Sequence, residues 1–242
     1  MSKRLLIVGG AIVVVLGIAA AVVLGRLGRL IESAVETQGP RMTGTEVSLG
    51  SARVSVFSGQ GSLNDLRIGN PEGYSDGEAF DLGKIAIVVD PKSLASDVVR
   101  IRSVVIDGPR LLAEFNAAGR TNLKAILDRV KSVARAGGST STGSSPGGQE
   151  TKLIIEEFRF ENAEARALAP AFNLDKTLKI PPVVLKNLGA KQGGAAAADL
   201  ANQILRPIVD STVQAATREY VKAQRGKLED KAKGKLTDLL KK

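Results

Sequence analysis

Few residues of this chain could carry out catalysis. The sequence of 242 residues contains no histidine and no cysteine, which removes the commonest general base, the commonest metal ligand and any thiol nucleophile. Asp65 and Asp107 stand at predicted turns, where aspartates usually hydrogen-bond to their own backbone. The run Gly59-Gln60-Gly61 lacks the third glycine and the following helix of a dinucleotide-binding loop. We therefore expect no enzyme, no catalytic residue, no cofactor and no metal.

The N-terminus contains an uncharged apolar run from Leu5 to Leu24. These 20 residues would form a helix of about 30 Å, the thickness of a bilayer core. Lys3 and Arg4 precede the run and favour a cytoplasmic N-terminus. Ala19-Ala20-Ala21 could alternatively be the cleavage site of a signal peptide, but the run continues past it. We predict a single-pass anchor with the rest of the chain exported.

The pattern after the anchor changes from helical to strand-like. Residues 26–44 have helical spacing that Gly39-Pro40 is expected to end. Period-two alternation then predicts about eight to ten strands, interrupted by one amphipathic helix at 121–135. The sequence thus predicts a mainly β (α+β) fold with sequential antiparallel pairing and a helical C-terminus. The expected divisions are a membrane segment at 1–28, strands and a helix at 29–135, a Gly/Ser linker at 136–150, further strands at 151–192 and a helical tail at 193–242.

The chain is basic, with 34 Lys and Arg against 25 Asp and Glu. We expect no nucleic-acid partner, because arginines interleaved with stacking aromatic residues are absent. The C-terminal segment 228–242 reads as a basic amphipathic helix. It could lie on an anionic membrane or on an acidic protein partner, or its lysines could be the solvated face of a packed helix.

The order of the turns is the most specific signal in the sequence. The segments VSLGSARVSVFSGQGSLNDLRIGNPEGY, AF, IVVDPKSL, IDGPRL and GRTNL follow one another after the predicted membrane helix. This succession resembles the N-terminal region of the bacterial AsmA-like family, over about residues 1–128. The resemblance implies a bacterial inner-membrane anchor and a periplasmic, curved β-sheet that forms an open apolar groove. It also implies that lipid acyl chains slide along this groove during cell-envelope biogenesis.

The aliphatic face of the predicted strands is the candidate site, because an apolar sheet face needs a cover. Lipid could cover it, or the two amphipathic helices could cover it fully and form an ordinary core. A structural scaffold for outer-membrane assembly or for an envelope protein partner is the alternative function. The inward-facing candidates are Val54, Val56, Leu66, Ile68, Ile85, Ile87, Ile101, Val105, Leu111, Phe115, Ile155 and Val183.

Overall fold

A computed structural model describes residues 28–55, 57–135 and 152–240 of the chain. Ten strands and three α-helices form the described part. Helix α1 covers 28–43. The strands are β1 (Val47–Val54), β2 (Gln60–Gly69), β3 (Glu78–Asp81), β4 (Lys84–Val89), β5 (Val98–Asp107), β6 (Arg110–Glu114), β7 (Lys152–Glu161), β8 (Glu164–Ala169), β9 (Leu174–Lys179) and β10 (Val183–Leu188). The other helices are α2 (Asn122–Arg135) and α3 (Ala197–Leu240).

Helix α1 lies along the edge strand β1. The backbone N–H of Ala52 donates to Glu32 Oε1 at 2.8 Å, so a side chain of the helix satisfies a free edge group of the strand. The predicted end of this helix at Gly39-Pro40 is wrong, since the helix continues to residue 43. Gly44 ends it instead. Its φ of +74° is the left-handed conformation of a helix C-cap, and its N–H donates to Pro40 O at 2.8 Å.

The sheet consists of two halves that share β1 and β2. The near half has the order β1-β2-β4-β5-β7-β10, and the far half has the order β1-β2-β3-β6-β8-β9. The remaining strands form four pairs in which the two members lie end to end, one in each half. We call them in-line pairs: β3 and β4, β5 and β6, β7 and β8, and β9 and β10. A width of six strands corresponds to about 24 Å between the outermost strands.

The purely antiparallel sheet that we expected is wrong. Strand β7 runs parallel to β5, and β8 runs parallel to β6. The chain between β6 and β7 includes α2, and a parallel neighbour requires such a long crossover connection. Sequential antiparallel pairing holds for β1–β2, β2–β3, β4–β5 and β8–β9. It fails for in-line strands such as β5 and β6, which do not pair with each other.

The in-line strands break along one line across the sheet, which we call the seam. A residue with left-handed backbone conformation lies at three of these breaks, with φ of +51° at Gly83, +66° at Gly108 and +55° at Asn162. Hydrogen bonds continue through the breaks, since Gly108 N–H donates to Glu161 O and Glu164 N–H donates to Pro109 O, both at 3.0 Å. Side chains can therefore change phase at the seam while neighbouring strands stay joined.

The two ends of the sheet are defined by their connections. The near end contains the β1–β2 turn around Phe57, the β4–β5 connection at 90–97 and the segment 189–196 after β10. The far end contains the loop 70–77, the β6–α2 turn and the β8–β9 connection. Helix α3 begins near the first group, and its Tyr220 stacks on Phe115 at the far end with ring centroids 4.4 Å apart. Helix α3 thus runs the length of the sheet.

Candidate functional site

One face of the sheet, which we call the inner face, carries a continuous apolar core. Nine of the predicted groove residues belong to this core or pack against it. They are Leu66, Ile68, Ile85, Ile87, Ile101, Leu111, Phe115, Ile155 and Val183.

The other three predicted groove residues lie elsewhere. Val105 lies between Val104 and Ile106, which both join the core, so strand alternation places it on the opposite, outer face. Val54 is half-buried at the end of β1 and pairs with Gly61, without joining the core. Val56 lies outside the described residues.

Helices α2 and α3 cover the inner face over the far half. The apolar stripe of α2 is fully buried, with Leu123 and Ile126 at 0% and Leu127 at 1% exposure. Val209 and Ala216 of α3 are equally buried. Helix α3 contacts β6, β8 and β9 of the far half, and it also contacts β7 and β10 of the near half. This part of the face is therefore a conventional protein core, closed by the chain's own helices.

Along β2, β4 and β5 the inner face is less completely covered, mainly in the near half, although Leu66 and Ile68 lie on the β3 side of the seam. Six aliphatic side chains of β2, β4 and β5 pack against the core on one side and stay partly exposed on the other. We call them the inner strip: Leu63, Leu66, Ile68, Ile87, Ile101 and Val104. The strip offers no hydrogen-bonding or charged side chain, so it can hold a partner only through apolar contact.

The outer face is charged in the far half. Arg110 and Asp81 form an ion pair at 2.6 Å between β6 and β3, and Arg166 contacts Asp175 through two bonds of 2.6 Å between β8 and β9. The hydrogen bond from Arg110 lowers the pKa of Asp81, and the one from Arg166 lowers the pKa of Asp175. The two faces therefore differ in chemistry over the far half, where the outer face carries ion pairs and the inner face is apolar.

The loop 70–77 is fixed by a buried polar cluster. The Glu114 carboxylate, only 7% exposed, accepts from Ser75 Oγ at 2.6 Å and from Ser75 N–H at 3.0 Å. Asn122 Nδ2 donates to Asn70 Oδ1 at 2.6 Å and to Leu112 O at 2.8 Å, and its Oδ1 accepts from Glu114 N–H at 2.9 Å. The loop is thus a structural corner, as its turn residues indicate.

Sequence reasoning identified only part of this cluster. Asn70 before Pro71 is typical of the start of a turn, and Thr121 and Asn122 are residue types that can cap a helix. Glu114 and Ser75 were missed, although an isolated acid at the end of the apolar run LLAEF was an available signal. Thr121 is the residue whose side chain caps the helix, since its Oγ1 accepts from Lys124 N–H at 3.4 Å.

A cleft of about 590 Å³ lies beside this cluster, between the loop, β6 and the two long helices. Tyr74 and Phe115 supply aromatic walls, and Arg120 and Lys124 supply cations. Burial raises the pKa of Tyr74, with a further increase from Glu114 and an opposing effect from Arg120. Glu72 and Asp128 line the same cleft, so its charges are balanced.

The described residues provide neither a metal cluster nor a membrane-spanning helix. In 28–55, 57–135 and 152–240, no three acidic side chains converge as a metal site would require. No helix in these ranges is both long and apolar enough to cross a bilayer. The predicted anchor at residues 5–24 lies outside the described part.

Comparison with known proteins identifies the family. Among proteins with curated descriptions, none matches the chain significantly. The model of the AsmA family matches residues 60–203, which extend from β2 into the first turns of α3 and include the seam, the polar cluster and α2. This match covers more than half of the sequence. The chain is therefore a member of the AsmA family.

Proposed function

We propose that this protein binds lipid acyl chains on its inner face and serves cell-envelope biogenesis from the bacterial inner membrane. The family match supports an envelope role, and the resemblance of the turn sequence implies lipid handling. In this proposal the bulk of the chain lies in the periplasm and residues 5–24 anchor it. Phospholipid is the lipid class that we expect.

The observation that supports this proposal best is the inner strip. Its six aliphatic side chains remain half-buried where they pack against the buried core. Removing apolar surface from water is favourable by about 25 cal/mol per Å². An acyl chain laid over the strip would complete this burial without requiring any polar partner.

The same geometry limits what one chain can do. Helices α2 and α3 occupy the far half of the inner face, so a lipid would use the near half. A sheet about 24 Å wide cannot span a periplasm alone. We therefore propose a local lipid carrier or one part of a larger assembly. Because apolar contact has no preferred register, a bound acyl chain could slide along the strip.

The variant I87D tests the proposal by placing a carboxylate in the strip. Desolvating this charge against an acyl chain would cost several kcal/mol, and each 1.4 kcal/mol is a tenfold loss of affinity, so we expect about a tenfold or greater loss of bound lipid. Native mass spectrometry of the full chain, released gently from membranes, measures the bound fraction. Fragmentation of the bound mass identifies the lipid.

The matched control is A86D on the same strand. Ala86 is exposed and lies next to Ile87, so alternation directs it to the outer face. This variant carries the same charge and should retain lipid like the wild type. Circular dichroism and urea unfolding establish that both variants are folded. Equal lipid retention by folded I87D and A86D would contradict the proposal.

A scaffold function is the second candidate, and the closed far half favours it. Helices α2 and α3 already bury that part of the face, and residues 228–234 of α3 extend beyond it and are exposed. A clean apo mass for the wild type, under conditions that keep lipid on a known carrier, would favour the scaffold. The exposed end of α3 would then be the first region to test for a protein partner.

A further inference from the structure

Two exposed apolar side chains lie together at the near end of the sheet. Phe57 in the β1–β2 turn is 86% exposed, and Leu94 in the short 3-10 helix Pro91–Ala95 is 44% exposed. The two segments are joined through Gly59, because Val89 N–H donates to Gly59 O at 2.7 Å. A Cβ added at Gly59 would also lie 3.1 Å from the Pro91 ring. Single exposed apolar residues are common, but these two lie in segments that contact each other at the same end of the sheet.

Hydrogen bonds fix the 3-10 helix and hold Leu94 at the surface. The Asp90 side chain accepts from Lys92 N–H at 3.3 Å, and Ser93 Oγ donates to Asp90 O at 2.7 Å. Arg100 N–H in turn donates to Ser93 Oγ at 2.9 Å, which ties the helix to β5. Leu94 is therefore exposed on a segment whose backbone is held in place by hydrogen bonds.

The chain enters the described structure at this same end. Helix α1 runs antiparallel to β1: its first described residue, Gly28, packs against the Ala52 backbone, while Gly39 lies beside Val47. The apolar run at 5–24 immediately precedes this helix in the sequence. A membrane anchor at 5–24 would thus bring the near end, and not the far end, to the bilayer.

The charge of the near end also fits a lipid surface. Lys92 is exposed two residues before Leu94, and Lys191 is exposed in the segment after β10 at the same end. Of the nearby carboxylates, Asp90 is paired with Arg102 at 3.3 Å and Asp97 is exposed. Exposed Phe or Leu with neighbouring lysines is the composition of surfaces that enter the bilayer interface.

We propose that the near end docks on the bilayer that holds residues 5–24, with Phe57 and Leu94 inserted into its interfacial region. The strands then run away from the membrane, and the near half of the inner face is the half next to the lipid. This docking concerns how the molecule meets the membrane. It goes beyond the proposed function and does not require lipid on the inner strip.

Tryptophan fluorescence tests the docking directly, because the sequence contains no tryptophan. The full-length variants F57W and L94W each carry one reporter. They are reconstituted into nanodiscs of phosphatidylethanolamine and phosphatidylglycerol, with or without bromine on the acyl chains. Insertion 5–10 Å below the surface should reduce emission by about half with brominated lipid.

The control is L228W at the opposite end of the molecule. Leu228 is 63% exposed and lies in α3 beyond Lys227, which contacts the β8–β9 connection. Its reporter should be unaffected by brominated lipid. The F57W signal should also persist in an I87D background, which separates docking from lipid binding on the inner strip. The docking is wrong if F57W and L94W behave like L228W, or if the full chain does not enter nanodiscs.

Discussion

At the scale of single residues, Asn122 connects three parts of the molecule through one buried amide. It is 0% exposed and bonds the loop 70–77 through Asn70, β6 through Leu112 and Glu114, and α2 through its own backbone. Buried amides of this kind are costly to leave unpaired. The asparagines of the GNP and GRTN turns are therefore positions on which the fold depends, and no ligand is needed to explain them.

We expect N122A to lower the free energy of unfolding by about 2–4 kcal/mol, because Glu114 N–H and Leu112 O would lose their buried partner. Urea unfolding measures the change. The control S132A removes one exposed hydrogen bond, from Ser132 Oγ to Arg129 O on the same helix. It should change stability by less than about 0.5 kcal/mol. A similarly small change for N122A would show that the cluster contributes little.

The ion pair of Asp81 and Arg110 gives a pH-dependent prediction. The pKa of Asp81 lies below its ordinary value of 3.8, first because Arg110 donates a hydrogen bond to it. A lowered pKa in the folded state stabilises the fold above pH 3.8, and this contribution is lost as the pH falls through the folded value. We expect R110Q to raise the pKa of Asp81 towards 3.8 in an NMR titration of side-chain carboxyls.

Arg67 supplies the control for this titration. It also lowers the pKa of Asp81, but only through its charge and more weakly than Arg110, which donates a hydrogen bond. The variant R67Q should therefore move the pKa of Asp81 less than R110Q does. Equal shifts would mean that overall positive charge, and not the hydrogen bond at 2.6 Å, sets the acidity of Asp81.

At the scale of elements, the seam is the feature that sequence patterns did not reveal. Strand alternation predicted the strands themselves well, including the phase change in β1 near Gly50. The turn at Asp107-Gly108-Pro109 was also correctly placed, but it joins two in-line strands where a hairpin was the default expectation. Both arrangements have the same alternation and the same turn residues, so a single sequence cannot distinguish them.

Gly83 tests the seam, since its φ is +51° and a Cβ there would meet no atom within 4 Å. We expect G83A to destabilise the fold by about 1 kcal/mol through backbone strain alone. Gly226 in α3 is equally open but helical, so G226A should stabilise by about 0.5–1 kcal/mol. Urea unfolding of both variants shows whether each substitution lowers or raises the free energy of unfolding. A stabilising G83A would mean that the seam does not require the left-handed conformation.

The inner face was predictable in part for the same physical reason. Alternation groups residues within one strand, and nine of the twelve candidates did reach the core region. Alternation alone does not reveal a bulge. In β5 the register shift leaves Arg102 as an extra residue between Ile101 and Ser103, so Ile101 and Val105 lie on opposite faces. Whether these residues contact lipid stays a prediction that I87D and A86D test.

At the scale of the whole molecule, the two halves of the sheet differ in what covers their inner face. The far half is closed by α2 and α3, whereas the near half keeps the inner strip and the Phe57–Leu94 surface beside α1. Sequence analysis could not predict this division, because it depends on where the helices pack. The predicted number of eight to ten strands is confirmed, but the ten strands do not all lie side by side, since in-line pairs make the sheet only six strands wide.

The length of α3 has a consequence for distance. Its 44 residues measure about 66 Å at 1.5 Å per residue, and they begin at the end that we propose to face the bilayer. A helix of this length would set the distance between the membrane surface and any partner bound at the C-terminal end of α3. Each residue inserted into α3 would move its C-terminal end about 1.5 Å further from the membrane and rotate it by about 100° around the helix axis. The distance and the orientation of a bound partner would therefore change together.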